Sequence, residues 1–418
     1  MRVRGLVLAA AAGGMLAAGC GSSDDGAKTT ATAAPATTSA APAPRGEPIR
    51  IGFVNTDSGP AGLPEASAGA KAALAYVNGE LGGIGGRPLE LVRCPLDGTV
   101  EKGVDCANRL VEDDVVAVLQ GFDAFSADAM LPILRSARLP LIGAQASTPK
   151  VAASDDFYAF GPPNEAYLIG LLKWYGEQDV ETATLLMPDS PAFRALVDSV
   201  LAPAARRYGV DARVVYFKLD APDWTVLATA AMEGDPDAIG LPAAIDSYCT
   251  GLINALQGAG YQGRVFAAGC SEFRRELGER AAGVEGYATL WQPEDLDSPP
   301  AEVRRELERY KAAMTAAGEE ERIESRALDA FVSTVDLARI VGTIRGRVDG
   351  PAITRALRAT RGFDSFAGPR LTCDHSLWPG RSSCSDGLLI YRVGDDGEPA
   401  VVSDGFIHLR DDAATSAD

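Results

Sequence analysis

The chain has 418 residues and a formal net charge of −18 at pH 7, from 57 acidic and 39 basic residues. Such an acidic chain offers no basic face that could neutralise phosphates, which excludes a nucleic-acid partner. It contains two histidines, His375 and His408, and no Cys-x-x-Cys pair. We therefore expect no metal site, no cofactor and no histidine-based catalysis, although these counts leave carboxylate chemistry open.

An export signal is predicted at the N-terminus. Arg2 and Arg4 precede a short apolar stretch, 5–19, that ends in Ala-Gly and is followed by Cys20. A basic segment, an apolar segment and a small-residue cleavage site are typical of a secretory signal peptide, here 1–19. The stretch is too short and too rich in alanine and glycine for a membrane-spanning helix.

Cys20 gives this signal a second interpretation. A cysteine directly after Ala-Gly resembles the lipobox of bacterial lipoproteins, in which the thiol is acylated and becomes the mature N-terminus. The leucine here stands four residues before the cysteine, where that pattern usually has it three before. The resemblance implies an extracytoplasmic protein anchored to the cell membrane by lipidated Cys20. The alternative is an ordinary secretory signal with a chance cysteine.

The residues that follow predict a spacer between the anchor and a folded body. The segment 20–48 is rich in Ser, Thr, Ala, Pro, Gly and Asp and has no large apolar residue. It cannot bury enough apolar surface to offset its chain entropy, which predicts a disordered tether. The body, 49–410, is long enough for two lobes and is followed by a short tail, 411–418.

Six further cysteines predict disulfide bonds. Their even number suits an oxidising compartment outside the cytoplasm, although the count alone allows many pairings. We favour the pairings that are local in sequence, which are Cys94–Cys106, Cys249–Cys270 and Cys373–Cys384.

Strand and helix patterns alternate along the body. The first series is strand 49–54, helix 66–77, strand 89–93, helix 104–112, strand 115–119, helix 126–137 and strand 139–142. The second series is helix 165–177, strand 183–187, helix 192–208, strand 212–217, helix 224–232, strand 238–241, helix 247–259 and strand 264–268. Strands separated by helices predict an α/β protein with two doubly wound parallel-sheet lobes. Binding loops are then expected at the carboxyl ends of the strands.

Several segments of the body carry a family resemblance. They are 51–60 (IGFVNTDSGP), 69–78 (GAKAALAYVN), 82–91 (GGIGGRPLEL), 118–121 (VLQG), 328–330 (LDA), 362–368 (GFDSFAG) and 371–374 (LTCD). In this order and spacing they resemble the substrate-binding proteins of branched-chain amino acid ABC transporters, which have the type I periplasmic-binding-protein fold. The resemblance covers the body from about 49 to 410.

The resemblance implies three hinge crossings between the lobes. Carried over to this sequence, they fall near 161–163, 292–293 and 366–369, where Pro and Gly suit a segment outside regular helix or strand. The two lobes would then be 49–162 plus 293–366, and 163–292 plus 367–410. A ligand between them would be buried when the hinge closes.

The resemblance also implies the ligand-binding loops of lobe one. The family holds an amino acid's carboxylate with hydroxyls and backbone amides just before helices, where free N–H groups favour an anion. After the third strand the family's serine falls on Phe125, with Ser126 beside it; Ser126 is alternatively the N-cap of the next helix. After the fourth strand the family's threonine falls on Thr148, or on Ser147 with one gap, and Gln145 lies in the same loop.

In lobe two the match to the family breaks. The family's glutamate that binds the ammonium group falls on Gly269. Asp246 or Glu272 could take that role, because a buried cation needs an opposite charge, although both acids could equally be solvated. Trp291 could stack on a ligand or pack at the hinge. The candidates in lobe two are therefore Phe193, where a family aromatic falls, Asp246, Tyr248, Glu272 and Trp291.

The sequence thus predicts a monomeric, non-enzymatic solute-binding protein that delivers a small polar ligand to ABC permease subunits. The ligand would be an amino acid or a related metabolite such as a carboxylate. A sensor module that feeds a signalling receptor would have the same sequence features. A lipid-anchored hydrolase with paired carboxylates is a third alternative, but the sequence has no Gly-x-Ser-x-Gly elbow and no metal-ligand cluster.

Overall fold

The computed structural model describes residues 42–409, except 60–61, 124, 221, 243–245 and 271. The predicted signal peptide, the part of the predicted tether from Cys20 to residue 41, and the tail 411–418 lie outside the described residues. Within the described part, no helix is both long enough and apolar enough to cross a membrane.

The first sheet consists of parallel strands in the order β2-β1-β3-β4-β5. Its strands are β1 (Ile49–Thr56), β2 (Leu89–Leu96), β3 (Val118–Gln120), β4 (Leu141–Gly143) and β5 (Phe157–Ala159). The helices between them are α1 (Pro64–Gly79), α2 (Val100–Glu112), α3 (Ala127–Ser136) and α4 (Pro149–Ala152). Each of the first four strands in the chain is followed by a helix that leads to the next strand, as parallel pairing requires.

The second sheet has the order β12-β11-β10-β9-β8-β6-β7, and β13 also pairs with β11. Its strands are β6 (Thr182–Pro188), β7 (Asp211–Phe217), β8 (Ala238–Leu241), β9 (Arg264–Ala267), β10 (Glu285–Ala288), β11 (Gly387–Val393), β12 (Pro399–Val401) and β13 (Ile407–His408). The accompanying helices are α5 (Asn164–Glu177), α6 (Pro191–Leu196), α7 (Ala202–Tyr208), α8 (Trp224–Met232), α9 (Asp246–Gly258) and α10 (Glu272–Leu277). Strands β6 to β10 are parallel, and β11 to β13 pair antiparallel. The predicted α/β class with two parallel-dominated sheets is confirmed.

Three later helices follow the second sheet's parallel strands. They are α11 (Ala301–Ala316), α12 (Ser325–Val341) and α13 (Gly350–Ala359). Helix α12 packs against α1 at Gly69, where an added Cβ would lie 1.9 Å from the carbonyl oxygen of Ala327. The two helix backbones therefore touch, and α12 joins the layer that covers the first sheet.

Apolar side chains fill both faces of each sheet. One cluster lies between the first sheet and helices α2 and α3, and includes Val54, Leu110 and Met130. A second lies between the second sheet and helices α5 to α7, and includes Leu171 and Leu185. The largest cluster contains α1, α12 and helices α8 to α10. Each sheet is thus the middle layer of a helix–sheet–helix sandwich.

The structure contains the three predicted disulfide bonds. Cys94 in β2 bonds Cys106 in α2, and Cys249 in α9 bonds Cys270 just after β9. The third bond, Cys373–Cys384, closes a loop that precedes β11.

The disulfide loop approaches the first sheet before the chain enters the second sheet. The amide of Ala159 in β5 donates to the carbonyl of Ser382 at 3.0 Å, and the amide of Cys384 donates to the carbonyl of Ala159 at 2.7 Å. The chain joins the second sheet only at Gly387. The predicted third crossing, near 366–369, and the lobe assignment of the residues that follow it stay predictions.

Local signals explain where some elements depart from their predicted bounds. Helix α2 begins four residues before the predicted 104 because the hydroxyl of Thr99 accepts from the amide of Lys102 at 3.3 Å and caps the helix. The predicted single helix 192–208 is divided into α6, a π-helical turn at Val197–Leu201, and α7. Pro203, at the start of α7, has no N–H to continue the regular ladder of hydrogen bonds.

Candidate functional site

A cavity of about 120 Å³ lies between the two sheets. Gln145, which follows β4, lines it from the first sheet. Gly269 and Cys270, which follow β9, line it from the second sheet, together with Tyr287 in β10. The carboxyl ends of parallel strands are where α/β proteins bind ligands. We call this space the central cavity.

A smaller cavity of about 60 Å³ adjoins the central cavity. Both are lined by Gln145, Arg326 and Asp329. The smaller one, the first-sheet cavity, also contacts Gln120 at the end of β3 and Ser147 in the loop after β4. The side-chain oxygens of Gln120 and Ser147 are buried without a hydrogen-bond partner among the described residues. Buried polar atoms are normally hydrogen-bonded, so these two can bind a polar ligand or water.

A third cavity of about 370 Å³ lies beyond Ala146, which also lines the first-sheet cavity. Most of its walls are apolar, with contributions from Pro149 and α4 on one side and Phe193 and Leu196 of α6 on the other. We call it the apolar cavity. It too is bounded by segments from both sheets.

Arg326 and Asp329 bring opposite charges to the central and first-sheet cavities. They lie three residues apart near the start of α12, so they share one face of the helix. Neither side chain makes a hydrogen bond or an ion pair with another residue in the described part of the chain. Burial raises the pKa of Asp329 from its ordinary 3.8 to about 6, and the Arg326 guanidinium opposes this shift.

Two stacked tyrosines stand beside these charges. The rings of Tyr167 and Tyr287 are parallel, with centroids 4.2 Å apart and an interplanar angle of 7°. The amide nitrogen of the Gln145 side chain donates to the Tyr167 hydroxyl. Burial raises the pKa of both tyrosines well above the ordinary value, so both hydroxyls stay protonated. The two rings thus stay neutral next to the charged groups of α12.

Four of the residues nominated from the sequence line these cavities. Gln145 lies in the central and first-sheet cavities, Ser147 in the first-sheet cavity, and Thr148 and Phe193 in the apolar cavity. The Thr148 hydroxyl is already engaged, since it donates to Asp128 at 2.5 Å and accepts from the amide of Val151 at 3.1 Å. Ser147 is therefore the hydroxyl of this loop that can still gain a partner.

Four other nominated residues lie outside the three cavities. Phe125 is 48% exposed, and the buried hydroxyl of Ser126 donates to Asp123 at 2.7 Å. Tyr248 donates to the carbonyl of Leu219, and its ring packs on Phe217 and Trp224. Trp291 is buried edge-to-face against Phe406, with ring centroids 6.0 Å apart.

The structure does not give Ser126 the capping role considered for it, and its contact with a ligand stays a prediction. It occupies the N-cap position of α3, but its side chain makes no capping hydrogen bond. An added Cβ on Gly103 in α2 would lie 2.1 Å from the Ser126 hydroxyl, so this hydroxyl points toward α2. The side chain is thus packed inside the first sheet's helical layer.

Two acids, Asp246 and Glu272, were predicted as candidates to bind an ammonium group. Asp246 begins α9 and Glu272 begins α10, but their side chains lie outside the described residues. Gly269, where the resemblance expects a glutamate, lines the central cavity with φ of +79°. That left-handed backbone favours glycine and would strain a glutamate. Among the described residues, no group of His, Cys, Asp and Glu side chains could hold a metal ion.

Sequence reasoning missed the charged residues of the site. Asp329 lies inside the segment 328–330 that carried part of the resemblance, yet neither it nor Arg326 was nominated. Their spacing on α12 was the available signal, since residues three apart share a helix face. That spacing alone does not show whether this face of the helix borders a cavity or bulk solvent.

Comparison with known proteins is consistent with this geometry. The profile of a family described as periplasmic binding protein matches residues 48–396. No curated protein sequence matches the chain.

Solved structures with a similar fold share little sequence with this chain. An extracellular ligand-binding receptor from Verminephrobacter eiseniae is 17% identical, with a TM-score of 0.70 over 84% of this chain and 99% of the other. The branched-chain amino acid transporter substrate binding protein LivJ from Streptococcus pneumoniae, solved with isoleucine, is 18% identical, with a TM-score of 0.66 over 87% and 100%. A fatty acid ABC transporter substrate-binding protein from Thermomonospora curvata is 14% identical, with a TM-score of 0.68 over 88% and 94%.

Proposed function

Because the chain belongs to the periplasmic binding protein family, we propose that it captures a small polar ligand between its two sheets and delivers it to an ABC permease. Membership of this family makes it an extracytoplasmic solute-binding protein. The central cavity is the main support for this ligand site, because its walls come from both sheets and from α12. Two similar solved structures are named as transporter substrate-binding proteins: one holds isoleucine, which supports an amino acid or a related metabolite, and the other is named for a fatty acid.

The first test identifies the ligand. The protein is purified without refolding and then denatured, and the released small molecules are identified by mass spectrometry. Candidates are titrated back into ligand-free protein by calorimetry, with one ligand per chain expected. Release of no small molecule, together with no binding of any candidate, would contradict the proposal.

A substitution in the central cavity tests where the ligand binds. Thr289 lines this cavity and is partly exposed, so Thr289→Trp should fill the space and abolish binding without disturbing the buried core. Thr315→Trp is the matched control, because Thr315 is exposed on α11 and lines none of the three cavities. If both variants bind the ligand as tightly as the unmodified protein, the ligand does not bind in the central cavity.

We propose that the two predicted lobes close around the ligand by bending at the predicted hinge. A ligand that contacts both lobes favours the closed arrangement only when it is bound. Small-angle scattering should therefore show a more compact particle once the identified ligand saturates the protein. An unchanged scattering profile at saturation would exclude closure.

We also propose that the mature protein begins at a diacylated Cys20 and is held at the cell membrane. Two acyl chains give stable retention, whereas one gives only marginal binding. The variant Cys20→Ser should appear in the soluble fraction or keep its signal uncleaved. A processed variant that stays bound to the membrane would rule out lipidation.

A further inference from the structure

A short turn, residues 365–368, packs on the helices that cover the first sheet. The ring of Phe366 is 3% exposed and lies between Phe331 of α12 and Tyr76 of α1, with ring centroids 5.3 and 6.1 Å away. Burial of this apolar ring fixes one side of the turn to α1 and α12. We call residues 365–368 the bridging turn.

The other side of the bridging turn contacts the chain that leaves the second sheet after β10. The carbonyl of Ala367 accepts from the amide of Trp291 at 2.9 Å. An added Cβ on Gly368 would lie 2.9 Å from the Leu290 side chain. Leu290 and Gln292 line the central cavity. A displacement of the bridging turn would therefore be transmitted to a wall of that cavity.

The backbone of the bridging turn needs support from its surroundings. Ala367 has φ of +48°, in the left-handed region that residues with a side chain rarely adopt. Such a conformation persists only where surrounding contacts enforce it, and it is found most often at sites and switch regions. The contacts that enforce it here therefore decide the path of the turn.

Two carboxylates from neighbouring helices supply those contacts. Asp336 of α12 is fully buried and accepts from the hydroxyl of Ser365 at 2.5 Å and from the amide of Phe366 at 3.2 Å. Glu306 of α11 accepts from the amide of Ala367 at 2.8 Å. Neither carboxylate lines any of the three cavities, so both act at a distance from a ligand bound there.

Asp336 is an unfavourable group to bury, which makes its bonds to the turn informative. Burial raises the pKa of Asp336 from its ordinary 3.8 to about 6, and the hydrogen bond from Ser365, the Arg339 charge and the amide of Phe366 oppose this rise. The Arg339 guanidinium lies 3.1 Å from the carboxylate and is partly exposed. Removing one partner of such a buried group leaves the others without compensation, so the turn and the carboxylate depend on each other.

We infer that Asp336 is a positioning residue for ligand capture. Together with Glu306 it holds the bridging turn, and through the turn it holds segment 290–292 in the arrangement that forms the cavity wall. This inference rests on the proposed function, because it concerns how the same cavity is kept ready for a ligand. Without Asp336, segment 290–292 samples other positions, and affinity falls with the fraction of molecules that are ready to bind.

Hydrogen exchange tests this link in the ligand-free full chain. In Asp336→Asn, peptides that contain 290–292 and 365–368 should exchange faster under native conditions, because a loosened turn no longer holds the amide of Trp291. Mass spectrometry of the peptides measures the rates. A merely structural role would lower the unfolding temperature without selecting segment 290–292.

Two matched controls separate position from stability. Asp364→Asn changes the residue just before the turn, whose side chain is 75% exposed and pairs with Arg370. Glu285→Gln weakens a different buried carboxylate, which pairs with Arg264 and Arg392 on the second sheet. Neither control should speed exchange at 290–292 beyond the rest of the chain.

Calorimetry measures the consequence for binding. The probe is the small molecule identified from the denatured protein or, if none is released, the tightest binder among the twenty L-amino acids. Asp336→Asn should bind it about 5- to 10-fold more weakly, as expected for loss of a contact that keeps the site ready. Both controls should bind it as tightly as the unmodified protein.

Ser365→Ala removes the hydroxyl donor and leaves Asp336 in place, so it carries the test if Asp336→Asn does not fold. It too should speed exchange at 290–292 and weaken binding. The double variant should bind no more weakly than Asp336→Asn alone, because both changes remove the same contact. Additive losses would show that Asp336 does not act through the turn and would overturn the inference.

The remaining outcomes separate this inference from the proposed function. Unchanged exchange at 290–292 in both Asp336→Asn and Ser365→Ala would overturn the positioning role, and so would equally fast exchange there in Glu285→Gln. Unchanged affinity in Asp336→Asn would overturn it as well, but would leave the binding function standing. The binding function itself fails only if no small molecule is released and none is bound.

Discussion

Substituting Gly69 by alanine perturbs the contact that positions α12. An added Cβ would lie 1.9 Å from the carbonyl oxygen and 2.7 Å from the carbonyl carbon of Ala327, distances that real Cβ atoms essentially never show. Both atoms belong to the backbone, so no side-chain rotation relieves the clash, and α1 and α12 must separate. Overpacking of this kind costs about 3 kcal/mol, and the better helix propensity of alanine returns about 1 kcal/mol. We expect a net loss of roughly 2 kcal/mol in the free energy of unfolding.

The matched control is on the same helix. Gly79 is the last residue of α1, and an added Cβ there meets nothing within 4 Å. Gly79→Ala should therefore stabilise the protein by about 0.4–1 kcal/mol, through the unfolded chain. Thermal unfolding followed by circular dichroism measures both effects. At about 2–4 °C per kcal/mol, Gly69→Ala should lower the transition temperature by about 4–8 °C and Gly79→Ala should raise it slightly.

The same variant should also affect the ligand site, because α12 carries Arg326 and Asp329. Separation of α12 from α1 would displace both charges relative to the first sheet. Gly69→Ala should thus weaken ligand binding, whereas Gly79→Ala should not. An unfolding temperature for Gly69→Ala equal to or above that of the unmodified protein would refute the close packing of α1 and α12.

Three further predictions concern charge and covalent links. The pKa of Asp329 is about 6 in the folded protein and near 3.8 ordinarily, so the folded state binds this proton more tightly than the unfolded state. The contribution of Asp329 to the free energy of unfolding therefore falls as the pH rises from 4 to 6. In denaturant titrations of ligand-free protein, Asp329→Asn should gain stability relative to the unmodified protein as the pH rises from 4 to 7. A difference in unfolding free energy between the two proteins that does not change with pH would contradict the raised pKa. Removing the disulfide between Cys249 and Cys270 should lower the free energy of unfolding by about 3 kcal/mol. It should also weaken ligand binding more than removal of either other disulfide, because Cys270 lines the central cavity. Unchanged affinity by calorimetry would show that this bond is purely structural. Glu285 is 1% exposed and accepts from two partly exposed arginines, Arg392 at 2.6 Å and Arg264 at 3.1 Å. Glu285→Gln should therefore lower the free energy of unfolding by about 1–2 kcal/mol in denaturant titrations, and no change would mean that these two ion pairs together add nothing.

The regular part of the fold was predictable because local pattern and tertiary structure agree there. Each parallel strand is a short apolar run, and each crossover helix has its own apolar spacing, so the order of elements can be deduced from the sequence. The strands β12 and β13 have three and two residues, too few for any periodicity to show. Their antiparallel pairing with β11 depends on contacts that no local pattern encodes.

Loop positions were predictable, but the direction of their side chains was not. The family resemblance pointed to the loop after β4, and Gln145 and Ser147 of that loop do line cavities at the carboxyl ends of the strands. In the neighbouring loop, the carboxylate of Asp123 accepts hydrogen bonds from the amides of Phe125 and Ser126 and from the Ser126 hydroxyl. This local network turns Ser126 inward and leaves Phe125 exposed. A count of residues from the strand cannot reveal which carboxylate organises the turn.

The charged pair of α12 was beyond sequence reasoning for a different reason. An arginine and an aspartate three residues apart on a helix most often lie in solvent, where each is hydrated and neither indicates a site. Their significance here comes from α12 packing on α1 at Gly69, a contact between distant parts of the chain that directs this face toward the cavities. Desolvation then raises the pKa of Asp329, and the nearby Arg326 guanidinium opposes this shift without forming an ion pair with it. The position of these two charges beside the cavities therefore depends on how α12 packs on α1, and only the folded arrangement of both helices reveals it.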